Sequence, residues 1–252
     1  MDYLSTWELV LCIAAAALGG WATALVGTGG LITIPVYLLC GIPPFFVLGT
    51  NKAVLVAGIS QSAWKYARVG MVRWDFLKKA ALPGLLLPTA ASWAALQMEG
   101  ADWAAVIAVV VLLATLSSWP AERSWQQRLQ LPQKSRGPVF VVLWLYDGFA
   151  GPLSGALFFL GLNKTHGQDR PEDVRLDLGT SRWLQFISVL GSSTLMVWRG
   201  QVLWELFFYL AAASILGNLA GAQMGSHLNP KAIRWVLFGF CLASSLSLLA
   251  KL

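Results

Sequence analysis

PPFFVLGTNKAVLVAG, residues 43–58, sets Asn51 and Lys52 in the middle of an apolar run. In a chain of 252 residues with 57% hydrophobic and only 12% charged residues, such a lysine requires an explanation. Apolar runs recur from one end of the chain to the other, separated by short polar or Gly/Pro segments. A bilayer-crossing helix takes about twenty predominantly apolar residues. The composition therefore predicts an all-α polytopic membrane protein, and no remaining stretch is long enough for a separate soluble domain.

Counting such runs predicts eight spans, near 7–28, 45–67, 74–97, 102–119, 138–161, 177–198, 201–226 and 231–250. Leu31 to Cys40 is too short to cross and reads as a half-helix or re-entrant segment. The net charge of +6 is spread over short connections rather than massed on one face, which fits orientation of spans and not nucleic acid. Cys12, Cys40 and Cys241 lie singly in apolar segments and only two histidines, His166 and His227, are present, so neither a metal nor a cofactor is expected.

The connection with Lys65, Arg68 and Arg73, and the basic loop AERSWQQRLQLPQKSRG (121–137), are expected on the cytoplasmic side. The acidic QMEGAD (97–102) and the mixed NKTHGQDRPEDVRLD (163–177) are expected opposite, which places both termini in the cytoplasm. The N-terminus lacks the basic region of a cleavable signal, so the first span reads as retained.

Comparing the chain with itself locates a site. A shift of 130 residues lays GTNKAVLVAGISQSAWKYARVGMVRW (49–74) over GTSRWLQFISVLGSSTLMVWRGQVLW (179–204) with six identities, where chance gives roughly two. Lys52 then falls on Arg182. Upstream of each copy an apolar run is broken by glycine, in VGTGGLITIP (26–35) and YDGFAGPLSGALF (146–158). The organisation expected is a first transmembrane repeat at 1–119, a basic cytoplasmic loop at 120–137 and a second repeat at 138–252, with glycine-broken helices at the centre. Four spans per half make the copies parallel, and an uncounted re-entrant crossing would change that.

A helix that starts after a glycine break offers unpaired N–H groups and the positive end of its dipole to an anion. Thr28, Gly29, Gly30, Thr50, Asn51 and Lys52 from one half would combine with Gly151, Pro152, Ser154, Gly155, Thr180, Ser181 and Arg182 from the other. Such a nest of donors with two cations suits a small oxyanion. Asp147, deep in the fifth span, is a candidate proton carrier or a support for the break. Gln61, Ser62 and Lys65 are candidate path-lining residues. The competing readings are that Lys52 and Arg182 snorkel to the interface and that the glycines serve close helix packing.

At these residues the chain resembles the TauE/SafE family of sulfite exporters, also called the toluene-sulfonate uptake permease family. The resemblance rests on GTGGLITIPVYLLCGIPPFFVLGTNK (27–52) and YDGFAGPLSG (146–155) and extends over essentially the whole chain. It departs from the family pattern at Ala150, which replaces an aromatic, and at Leu153 and Thr28, where glycine is usual. The resemblance implies a multi-pass transporter of sulfur-containing or related organic anions in the bacterial inner membrane, with duplicated four-helix halves. The expected function is export of sulfite, a sulfonate or a similar anion by alternating access. Uptake by the same fold, or a non-transporting scaffold subunit, are the alternatives. Enzymatic chemistry is not expected, since no span carries HExxH or a carboxylate cluster. The expected partners are a small anion and the lipid bilayer, with a homo-oligomer left open.

Overall fold

The computed structural model describes residues 4–25, 27–98, 136–166 and 171–224, and all regular structure among them is helical. The helices are α1 (Thr6–Leu25), α2 (Gly30–Leu39), α3 (Pro44–Arg68), α4 (Trp74–Ala95), α5 (Arg136–Phe149), α6 (Ser154–His166), α7 (Pro171–Trp198) and α8 (Trp204–Met224). The expected spans at 102–119 and 231–250 and nearly all of the loop 120–137 lie outside the described residues. The expected half-helix at 31–40 is α2.

Local chemistry sets the helix ends. Pro44 opens α3 at a position where its missing N–H costs nothing. Gly70 closes it with φ of 73°, and Met71 N–H bonds back to the Tyr66 carbonyl at 2.9 Å. α7 closes the same way, with Gly200 at 70° and Gln201 N–H on the Met196 carbonyl at 2.8 Å. A left-handed glycine satisfies the last carbonyls of a helix without Cβ strain.

Large apolar side chains face outward, while charged and amide side chains are buried beside the apolar core. Trp7, Leu18, Leu82, Leu86, Trp93, Val142, Trp198, Phe208 and Leu216 are exposed, while Asn51, Lys52, Asp147, Asp177, Arg182, Gln185 and Asn218 are buried. Water would reverse that arrangement, whereas a bilayer requires it. Among the described residues, α1 and residues 204–221 of α8 are long and apolar enough to cross a membrane by composition alone. α3 and α7 have the length, 25 and 28 residues, but their inward faces carry the charged and amide side chains.

α1 and α2 form a hairpin rather than a crossing followed by a half-crossing. Thr33 of α2 packs on Gly19 of α1, and Cys40 Sγ reaches the Glu8 carbonyl at 3.9 Å, so α2 returns toward the start of α1. The expected single span at 138–161 is likewise two helices folded back. Phe140 of α5 stacks on Phe158 of α6 with ring centroids 6.3 Å apart, and Gly161 lies against Leu143 and Phe140. Breaks that read as interruptions of a continuous run are reversals of direction.

α3 and α7 cross antiparallel. Thr50, near the start of α3, accepts the N–H of Leu203 just beyond α7 at 3.0 Å, while Thr180, near the start of α7, accepts the N–H of Arg73 just beyond α3 at 2.9 Å. Both bonds obey the 130-residue shift, as do the packing of Gly49 on the Gln201 carbonyl and of Gly179 on the Met71 carbonyl. The core follows the same exchange. One cluster joins α1, α2 and α3 to Leu206, Leu210 and Ala213 of α8, and the other joins α5, α6 and α7 to Leu77 and Ala80 of α4.

This geometry corrects the expected sidedness. Arg73 pairs with Asp173 at 2.6 Å and Asp177 at 3.0 Å, so the connection after α3 and the start of α7 lie at one end, not at opposite ends. Burial works against the Arg73 charge, but the two carboxylates outweigh it and hold the guanidinium above its ordinary range. The start of α1 lies by Cys40 at the far end of α3. A basic connection and the start of α1 on the same side, as the charge count expected, are therefore incompatible with the hairpin.

Candidate functional site

The two glycine breaks are built alike and lie against each other. Gly27 and Gly151 both take φ of 81°, and each N–H bonds to the carbonyl five residues back, Ala22 and Tyr146, at 3.2 Å. Tyr146 braces the second break by donating its hydroxyl to the Pro152 carbonyl. A methyl group on Gly30 would stand 3.3 Å from Pro152 Cα, and one on Gly27 would stand 2.8 Å from the Gly155 carbonyl carbon. The first turns of α2 and α6 thus meet at the centre, where the leading N–H groups of a helix have no intrahelical partner.

Arg182 enters this junction from α7. Its guanidinium Nη1 abuts Gly27, lies 2.7 Å from where a Gly155 Cβ would be, and donates to Gln185 Oε1 at 3.3 Å. Arg182 is fully buried, and its Nε has no hydrogen-bond partner among the described residues. Thr28 Oγ1 and Thr23 Oγ1, on the first break and the end of α1, are likewise buried without partners among them. Gln185 donates onward to Ser154 Oγ at 3.1 Å, and the Asp147 carboxylate accepts hydrogen bonds from the Ser188 and Ser154 hydroxyls.

Lys52, aligned with Arg182 in sequence, is used differently. Its Nζ donates to the carbonyls of Gly148 (2.6 Å) and Asp147 (3.0 Å) and to Ser92 Oγ (3.1 Å), which occupies all three protons. Ser92 Oγ also donates to the Gly148 carbonyl at 2.6 Å. The ammonium sits on the last carbonyls of α5, the negative end of that helix, and ties α5 to α3 and α4. Neither cation snorkels.

The other expected residues divide similarly. The Thr50 and Thr180 hydroxyls accept backbone N–H groups, Ser181 Oγ donates to the Leu178 carbonyl at 2.7 Å, and Asn51 Oδ1 accepts from Thr33 at 2.6 Å. Gly29 is pressed onto Gly19 and Thr23, a packing role. Gln61 and Lys65 line, with Ser62, Asn218, Leu219 and Gln223, a cleft between α3 and α8 away from the breaks. Gln185, Ser188 and Ser92 went unread in the sequence. Asp177, Ser181, Gln185, Ser188 and Ser192 recur every three or four residues along α7, a polar helical stripe whose period was the available signal.

Leu153 holds φ of 70°, the non-glycine exception among the described left-handed residues, and its side chain is buried in the first core cluster. Leu153→Gly relieves about 1–2 kcal/mol of backbone strain but forfeits about 2–5 kcal/mol of buried side chain. The variant is expected to melt lower than the wild type by thermal unfolding in detergent; a rise would show strain to dominate.

An apolar exterior around a buried guanidinium and paired helix breaks marks a membrane protein that is helical throughout its described regular structure. The chain belongs to the sulfite exporter TauE/SafE family, whose model matches residues 12–248. It is 30% identical to a probable membrane transporter protein, ORF9, of Sinorhizobium, over 99% of this chain and 95% of that one. It is 29% identical to a probable membrane transporter protein of Haemophilus influenzae, covering 86% and 84%, and 25% identical to the probable membrane transporter YfcA of Escherichia coli K12, covering 84% and 77%. No solved structure matches.

Proposed function

We propose that the protein carries a small oxyanion, sulfite or a sulfonate-like organic anion, across the bacterial inner membrane by alternating access around Arg182. The observation that carries this reading is the buried guanidinium, with an Nε that lacks a partner, wedged between two helix breaks. Two helix N-termini and a fixed cation attract an anion, and a bound oxyanion would supply acceptors that Arg182 and Thr28 lack. Asp147 offsets Lys52 and supports the second break, so of the two buried cations among the described residues Arg182 is the one left for substrate. Export is the favoured direction, by the family's name; uptake through the same site is the alternative.

The antiparallel crossing and the 130-residue reciprocity favour two inverted halves, 1–119 and 138–252 around the basic loop, each built on a re-entrant hairpin. Each half lends its last described helix to the other's core. With Lys65, Arg68, Arg73, Lys78 and Lys79 marking the cytoplasmic end, the start of α1, with Glu8, faces outward.

The test is an anion panel, with sulfite, sulfate, sulfoacetate and acetate, read by thermal stabilisation of the purified protein and by uptake of labelled anion into proteoliposomes. A ligand that binds the folded state at a hundred times its Kd stabilises by about 2.7 kcal/mol. Stabilisation by a sulfur oxyanion with saturable flux is the expected result. Flux without any dependence on Arg182 would overturn the site, and no stabilisation by any anion together with no flux would favour a scaffold.

A further inference from the structure

The two ends of the α3/α7 pair match in backbone and differ in chemistry. At one end Arg73 N–H bonds Thr180, and at the other Leu203 N–H bonds Thr50. The side chains at these reciprocal positions have diverged. Arg73 Nη2 and Nε grip Asp173 and Asp177, one turn apart on α7, with Asp177 fully buried and Arg73 and Asp173 about a fifth exposed. Shifting by 130 residues puts Leu203, Pro43 and Val47 at the corresponding places, and Val47 and Leu203 pack into an apolar cluster.

Resting on the reading of the protein as an alternating-access transporter, we propose that Arg73, Asp173 and Asp177 form an ionic latch that keeps the cytoplasmic approach to Arg182 closed, whereas the reciprocal positions at the other end, Leu203, Pro43 and Val47, carry no charge. Asp177 stands five residues before Arg182 on the same helix, so freeing the first turns of α7 from Arg73 opens the cytoplasmic route to the junction of breaks. At the reciprocal positions of the outward end, Val47 and Leu203 pack in an apolar cluster and the Leu203 N–H bonds Thr50. Because the halves exchange roles when the path switches sides, an ion pair at one end biases the unloaded protein toward facing outward. Partial burial protects the pair from the screening that cancels exposed ones.

The experiment is hydrogen exchange on the full chain in lipid nanodiscs, comparing residues 69–77 with residues 199–207 in wild type, Arg73→Gln, Asp177→Asn and Arg73→Lys. Loss of the pair is expected to raise exchange at 69–77 by roughly fivefold, the equilibrium worth of one such pair, and to lower it at 199–207. Arg73→Lys, which keeps the charge, should recover much of the wild-type pattern. The double variant Pro43→Asp, Leu203→Arg installs a pair at the outer end and is expected to shift both segments the opposite way. Loosening of both ends together, or at 69–77 alone, would mark the ion pair as a mere structural clip and overturn the latch. Exchange needs no substrate, so a failure of anion binding at Arg182 and a failure of the latch are read separately.

Discussion

Arg182→Met should bind the anion more weakly by roughly a hundredfold or more, yet melt close to the wild type. Among the described residues the guanidinium makes one hydrogen bond, to Gln185, and leaves Nε unpartnered, so most of its donor capacity is not spent on the fold. Replacing a buried charge by an apolar side chain of similar volume is often neutral or stabilising, because the desolvation cost disappears with the charge. A bound oxyanion, in contrast, would lose charge-assisted hydrogen bonds of about 1.5–3 kcal/mol each. Two such bonds correspond to a loss of roughly a hundredfold or more in affinity. The check is anion-dependent melting of the purified variant beside flux in proteoliposomes. Retention of the wild-type stabilisation would place the substrate elsewhere.

Lys52→Met should do the reverse, with a large loss of stability and binding that persists in whatever fraction folds. Removing the ammonium leaves the Asp147 carbonyl without the donor that holds it and removes the cation facing the buried Asp147 carboxylate. Ser92 can still serve the Gly148 carbonyl, so the loss is not total. Breaking a buried charged network by deleting one partner costs about 3–5 kcal/mol. For a chain of this size that lowers the melting temperature by about 2–4 °C per kcal/mol. Lys52→Arg is expected to recover little, since a planar fork does not place donors on three acceptors grouped around one point. Thermal unfolding in detergent, with and without sulfite, separates the two roles. A Lys52→Met protein of wild-type stability that fails to bind would restore Lys52 to the substrate.

Much of this site was legible along the chain because broken helices and buried charges conflict with their apolar surroundings, and such conflicts are visible one residue at a time. The alignment of Lys52 with Arg182 and of Thr50 with Thr180 followed from plain repetition, and the reciprocal hydrogen bonds of the two threonines obey it. The same repetition misled at the cations. Equivalent positions in two diverged copies keep the backbone path but not the side-chain partners, and what lies opposite Lys52, the end of α5, is contributed by residues nearly a hundred positions away.

The sequence by itself determined a membrane protein of helices, two glycine breaks in corresponding places, and a pair of basic residues set in apolar runs, whose burial only the fold decided. It could not determine that each break reverses the chain, because a hairpin and a kinked crossing share one hydrophobic pattern. Only packing chose between them, through Thr33 on Gly19 and Phe158 on Phe140, and that choice inverted α7 against α3. Tertiary structure likewise decided that Lys52 is consumed by carbonyls while Arg182 keeps a free donor, since hydrogen-bond saturation depends on which distant groups arrive within 3 Å of an atom.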